Sequence, residues 1–334
     1  MSSVQRTRIS ILGLKPSLQV MVQRGYDPNR CLAGCGIEPA QLEEPDLQIS
    51  RQQEFRFYRN LIDLSGDPRI GLLLGEAYPP QRYGLFGYAM LSAVTFGDAM
   101  ELVDKFGILT FSHFDISIVQ RDQLAAMEMR DSIGLDPDLL RLYSDRDVSA
   151  AALAVEEILG QRVPAREVYL MHNGGGDETL YRDYFGCPVR FSQKFNAYGF
   201  DPTLMARPLP LADRQNSQYF ARQCQLLLDR LSSQSRLVDE IRQRVLATPG
   251  YFPDAEQMAD LLAISPRTLR RRLSAEGSSY QEIIGEIRYE LARQYLATSL
   301  PVEKIAELLG YSEPGNFTHA FKRWSGQAPS RFQP

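Results

Sequence analysis

Between residues 50 and 210 the apolar positions switch between a period near 3.6 and a period of 2, and beyond that they stay helical to the end. Phe55, Tyr58, Leu61 and Ile62 recur at spacings of three and four inside Ser50–Ser65, which predicts a helix capped by Ser50 and stopped at Gly66. Met100, Val103 and Phe106 repeat the pattern within Phe96–Leu109. The period then changes. Phe114, Ile116 and Ile118 alternate with polar neighbours, as do Leu124, Ala126 and Met127–Met129 across Gln120–Gln123, which predicts a hairpin. Pro137–Leu159 returns to helix, Glu167–Met171 to strand, and Gly174–Tyr184 to a turn and a helix. Val189–Phe191 and Ala197–Phe200 are candidate short strands. The mixture predicts an α+β domain over residues 1–210, ending near Pro208 and Pro210.

Asp213–Leu231 comes next as a helix with Tyr219, Leu226, Leu227 and Leu231 on a broad apolar side. It is a connector, a dimerisation helix or a helix packed on its own domain. The polar run Ser232–Ser235 predicts its end, so residues 211–233 are assigned to a connector and linker. Residues 234–334 are assigned to an all-α domain.

That last segment contains an internal repeat. Glu256–Ser265 is followed 47 residues later by Glu303–Ser312, with Ala259 matching Ala306, Leu262 matching Leu309 and Ser265 matching Ser312. A small Ala lets a second helix cross closely, and the Leu closes the shared core. Ala263 or Gly310 accommodates a tight turn, and the Ser is placed to cap the next helix. Beyond each cap, Leu269 and Leu273, then Phe317 and Phe321, stand four apart and point inward. The outward set is Arg267, Arg270, Arg271 and Ser274 in the first unit. In the second it is Gly315, Asn316, Thr318, His319, Lys322 and Arg323. Such a helix fits the major groove of double-stranded DNA, where these side chains bond base edges or phosphates. Tyr280–Thr298, with Ile283, Ile284, Ile287, Leu291 and Leu296 on one side, reads as a linker helix joining two helix-turn-helix units. It would hold them for adjacent major grooves, about 34 Å apart.

Charge sharpens this picture. The 334 residues carry a formal net charge of −4, which excludes a uniformly basic nucleic-acid coat. Residues 234–334 hold 13 basic and 12 acidic groups, yet Arg267, Arg270, Arg271 and Arg272 crowd into six positions, and Lys322 and Arg323 make a second cluster. By its place beside Leu269 and Leu273, Arg272 is expected to face its own domain. Four scattered cysteines do not make a disulfide framework, no apolar run is long enough for a membrane helix or signal peptide, and a cytoplasmic location is expected.

The chain resembles the AraC/XylS family of bacterial transcription regulators over Val238–Phe332. The resemblance is carried by Ala-Asp-Leu-Leu-Ala-Ile-Ser-Pro-Arg-Thr-Leu-Arg-Arg-Arg-Leu from Ala259 and by Ile-Ala-Glu-Leu-Leu-Gly-Tyr-Ser-Glu-Pro-Gly-Asn-Phe-Thr-His-Ala-Phe-Lys-Arg-Trp from Ile305, then Gly326 and Pro329. Tyr83–Met90 is similar to the arabinose-binding-type effector domain that accompanies part of the family. The resemblance implies an effector and dimerisation domain in front of a seven-helix DNA-binding domain. It also implies that Arg267, Arg270, Arg271, Asn316, Thr318 and His319 touch DNA. An Arg is common in the family where His319 stands, so the second unit reads bases more weakly or responds to pH.

Other signals carry less. Cys31 and Cys35 lack the partners of a metal site, and buried thiols are the simpler account. Gly174–Gly176 has no following Gly-Lys-Ser/Thr and is flanked by Asp177, so it is taken as a turn. No nucleophile–base pattern is present, so no enzyme and no cofactor are expected. Aromatic residues of the first domain either fill its core or line a pocket, with Tyr83, Phe86 and His113 as candidate ligand contacts. The expected function is a DNA-binding regulator, an activator contacting RNA polymerase at a promoter. A small-molecule effector, a homodimer, or both would control it. The alternatives are a first domain that only binds another protein, and an enzyme that controls its own expression.

Overall fold

The hairpin expected at Phe114 forms one edge of a five-stranded sheet. The computed structural model describes residues 8–332 except 45–46, 68, 122, 249, 276–277 and 299, with the backbone alone for residues 8, 230–236, 239 and 275. In chain order the first elements are β1 (Arg8–Ser10), α1 (Lys15–Gln23), α2 (Pro28–Cys31), β2 (Gln48–Ser50), α3 (Arg51–Ser65), α4 (Ile70–Gly75), α5 (Leu85–Leu91) and α6 (Phe96–Phe106). Then come β3 (Phe114–Arg121), β4 (Leu124–Asp131), α7 (Pro137–Leu159), β5 (Glu167–Tyr169), α8 (Glu178–Phe185), β6 (Val189–Arg190) and β7 (Asn196–Phe200). The helical remainder is α9 (Arg214–Leu246), α10 (Ala255–Leu261), α11 (Pro266–Ala275), α12 (Tyr280–Leu296), α13 (Val302–Leu308) and α14 (Pro314–Ser325). The chain divides into two units, Met1–Arg230 and Leu231–Pro334.

In the first unit the strands run in the order β3-β4-β7-β5-β6, antiparallel except for β5 with β6. Ile116 pairs with Met129 and Ile118 with Met127, so alternate residues of both strands share one face. Helix α3 opens with Ser50 accepting from the Gln53 amide, and Gly66 closes it in the left-handed region. Helix α7 is capped by Asp136, starts at Pro137 and ends at Gly160. It is buried along most of its length, packed against α3, α5, α6 and β7 as well as α4, which crosses it closely through two glycines. A β-carbon at Gly71 or Gly75 would stand 2.4 Å from the carbonyl of Leu142 or Arg146. The β1–β2 pair and helices α1, α2, α4 and α5 have no counterpart in the expected elements.

The polar run at 232–235 does not end a helix. Helix α9 is continuous from Arg214 to Leu246 and contributes Cys224 to the first core and Val238, Ile241 and Val245 to the second unit. Gln is a good helix former and Ser only a mildly poor one, and no Gly or Pro interrupts the run. Tyr219, Leu226 and Leu227 are exposed on it; the side chain of Leu231 lies outside the described residues.

The second unit has two cores. Met258, Ala259, Leu269 and Leu273 pack on Ile283, Ile284 and Ile287; Ile305, Ala306, Leu309, Phe317 and Phe321 pack around Ala292 and Trp324. Helix α12 belongs to both. Counting the end of α9, the described residues give this unit six α-helices and a short 3-10 turn at Pro329–Arg331, where the resemblance implied seven.

Candidate nucleic-acid interface and interior cavity

The two turns of the repeat have one geometry. In the first, the Ile264 amide donates to the Ala259 carbonyl at 3.0 Å; in the second, Tyr311 donates to Ala306 at 2.9 Å. Each bond closes a Schellman-type stop around a residue with positive φ, Ala263 at 53° and Gly310 at 72°. Ala259 and Ala306 are buried where the paired helices cross. Ser265 caps α11 by accepting from the Thr268 amide at 3.1 Å. Ser312 does not repeat that role. Helix α14 starts one residue later, with Glu313 at its N-cap and Pro314 behind it, and no side chain caps it.

Arg267, Arg270, Arg271 and Ser274 are exposed on α11. At about 100° per residue, Arg267, Arg271 and Ser274 lie opposite the Leu269–Leu273 side, while Arg270 and Arg272 flank it symmetrically. Arg272 is exposed like its neighbours, so it does not turn toward its own domain. Its long side chain reaches water from a flanking position. On α14, Gly315, Asn316, His319, Lys322 and Arg323 are exposed. Thr318 is half-buried, and its hydroxyl donates to the Pro314 carbonyl at 3.0 Å. Arg288 of α12 lies between the rings of Phe252 and Tyr311, 4.6 and 4.7 Å from their centroids, tying the linker helix to the second turn.

The first unit encloses a cavity of about 610 Å³, its open mouth included. Helix α7 supplies one wall through Ala150, Ala151, Ala154, Val155 and Ile158, and small residues there leave the space open. Met127, Met129 and Ile116 of the sheet and Met100 and Val103 of α6 supply the others. Tyr83 and Phe86 line it; His113 does not. The His113 ring is buried and its Nε2 lies 2.8 Å from Glu54. Phe106 and Phe114 are simply core.

One end of the cavity is polar, and sequence reasoning missed it. Arg146 is buried, with Nε donating to Asp147 at 2.7 Å and its terminal nitrogens donating to the Tyr58 hydroxyl at 2.8 Å and the Phe111 carbonyl at 2.9 Å. Ser112 donates to the other oxygen of Asp147 at 2.6 Å, and Tyr58, Tyr78 and Tyr143 pack around the guanidinium. Burial alone would lower the affinity of Arg146 for its proton, but Asp147 and the tyrosines outweigh it and keep the charge. Burial, reinforced by Asp147, pushes the Tyr83 phenol well up, so it stays protonated. The trace of it in the sequence is the charged run Asp145-Arg146-Asp147, followed on the same helix by the uncharged stretch Val148–Val155.

Four cysteines are free and buried, and among the described residues no cluster of His, Cys, Asp and Glu could hold a metal ion. His172 accepts from the Gly174 amide at Nδ1 and lies 2.9 Å from Asp145 at Nε2, a structural pairing beneath the glycine turn.

Two tandem helix-turn-helix heads behind an α+β domain define a DNA-binding transcription regulator. Residues 25–209 match the arabinose-binding domain of AraC transcription regulators and residues 258–334 match a helix-turn-helix domain, and the chain belongs to the AraC family. It is 29% identical to an ornithine utilization regulator of Pseudomonas aeruginosa, covering 95% of this chain and 93% of that one. An uncharacterized HTH-type transcriptional regulator of Mycobacterium tuberculosis is 30% identical, over 94% of this chain and 93% of its own. The crystal structure of the regulator CdpR from Pseudomonas aeruginosa aligns with a TM-score of 0.51 at 25% identity, over 96% of each chain. Each of these relatives is named as a regulator. Among the described residues no helix is long and apolar enough to cross a membrane.

Proposed function

We propose that the chain regulates transcription in response to a small molecule held in the cavity of its first unit. Residues 1–210 would sense the effector, residues 211–233 would connect, and residues 234–334 would read the promoter. The observation that carries this is the cavity itself, which keeps a buried, fully charged arginine at one end of an apolar space. In the second unit, Arg267, Arg270, Arg271 and Ser274 contact one major groove. Gly315, Asn316, His319, Lys322 and Arg323, with a smaller share from Thr318, contact the next. The exposed Tyr219 and Leu226 stand seven apart on one side of α9, which supports a homodimer through that helix. We further propose that it activates its target by contacting RNA polymerase and works in the cytoplasm.

The test combines selection of bound DNA from a random pool with a screen of metabolites, ornithine included, by thermal midpoint of the full chain. The expected result is a site with two elements about one helical turn apart and a compound that both raises the midpoint and changes operator affinity. If no compound shifts either, while Tyr219→Glu abolishes a protein complex, the first unit is an interaction module without a ligand. The exposed α9 side is what favours that second reading.

A further inference from the structure

The family description of the first unit names a pentose, yet the walls of this cavity are wrong for a sugar. A buried pentose presents several hydroxyls, each needing a partner, because an unpartnered polar group loses its bonds to water. The space is bounded instead by methionine, valine, isoleucine and alanine side chains. Its polar groups gather at one end and are mostly committed to each other. Each nitrogen of Arg146 has a protein partner, and both oxygens of Asp147 accept from the protein. The pair sums to no net charge. A ligand carboxylate there would face Asp147, and a ligand ammonium would face Arg146, each with a like charge already buried. The exception to this internal pairing is Tyr83. It lines the same space, and its hydroxyl has no hydrogen-bond partner among the described residues.

Resting on the effector reading above, we propose that the cavity binds an uncharged, largely apolar molecule with a single oxygen head, an alcohol or ketone class. The Tyr83 hydroxyl donates to that oxygen. The apolar body lies along Ala150, Ala151 and Ala154 of α7, where the absence of larger side chains makes room for it. The methionines opposite adapt to its shape, since their unbranched side chains repack readily.

Four probes separate the possibilities: 1-octanol, octanoate and octylamine, which share one chain and differ in head, and L-arabinose. Binding to the full chain is read by calorimetry at pH 7.5 and by thermal midpoint. Octanol is expected to bind, with the two charged analogues at least tenfold weaker and the sugar showing no heat. Tyr83→Phe, which removes one oxygen and keeps the ring, should weaken octanol about tenfold; Ala151→Phe, which fills the space, should abolish it. If Ala151→Phe does not fold, Tyr83→Phe alone still decides. Octanoate, octylamine or arabinose binding as well as octanol overturns the ligand class and leaves effector control standing. Unchanged octanol affinity in Tyr83→Phe overturns the assigned head contact. No binding by any probe, in a chain that still responds to some metabolite in the screen, overturns the class. No response to anything overturns the effector reading itself.

Discussion

Arg271 stands opposite the core on α11, and that position decides its part. A side chain pointing straight into a groove reaches base edges, whereas flanking ones meet the phosphate walls first. Arg271→Ala should cost about 1–3 kcal/mol of operator affinity and relax preference at one base pair. Arg272→Ala, on the flank, should weaken all sequences alike and reduce the salt slope by about one. A titration series on selected and scrambled DNA at several salt concentrations distinguishes the two, and a loss of base preference at Arg272 reverses the assignment. In the first unit, Arg146→Met leaves Asp147 buried with Ser112 still donating to it, and should destabilise by about 3–5 kcal/mol. Arg146→Met with Asp147→Leu should recover much of that loss, because both charges are then gone. Urea unfolding of the double-mutant cycle checks it, and additive losses would mean the two charges act independently. These two residues were hidden in the sequence. A run of three charges on a helix ordinarily marks a solvated face, and only the approach of α3, α4 and the Phe111 loop encloses this one.

The repeat, by contrast, was legible at the scale of elements, because helix spacing, small crossing residues and turn residues recur at one offset. What differs between its halves is the stop. Ala263 holds a backbone conformation that costs an L-residue about 1–2 kcal/mol, so Ala263→Gly should stabilise the second unit by up to about 1 kcal/mol once the added freedom of the unfolded chain is deducted. Gly310→Ala runs the other way. Its φ is positive, and the new β-carbon would meet Phe252 at 2.9 Å, so a loss of about 1–3 kcal/mol is expected. Thermal unfolding followed by the fluorescence of Trp324 measures both, since that residue sits in the second core. Opposite signs confirm the turns; equal signs refute them. Helix α9 ran past its expected end for a related reason. Serines lower helix propensity only slightly and glutamine supports it, whereas a stop needs a residue that can leave the helix, such as the glycine at 66 or 160. The hairpin and α7 were legible because long alternation and a Pro-to-Gly frame are strong local signals. Strands β1 and β2 each hold a single isoleucine between polar residues, which is too little pattern to be seen.

For the molecule as a whole, the second unit retains its own two cores when the chain is cut at Gln234, because Val238, Ile241 and Val245 remain. The fragment Gln234–Pro334 should therefore fold and bind a half-site, but bind a two-site operator at least tenfold more weakly than the full chain. Linking two reading units raises the effective concentration of the second. Electrophoretic mobility shifts on one- and two-site DNA measure this, and equal affinities would refute the dimer.

The sharing of α12 between the two cores also constrains how such a regulator can change over generations. Each residue added to a helix rotates the remainder of that helix by about 100° and advances it about 1.5 Å. A single insertion in the middle of α12 would swing one reading surface away from the other and pull Ala292 from its contacts. Point substitutions on the exposed sides of α11 and α14 carry no such penalty. Descendants of this chain are therefore free to drift in the bases they prefer, one head at a time. On the proposed mode of reading DNA, the distance between those bases stays an inherited constant, and promoters must keep to it.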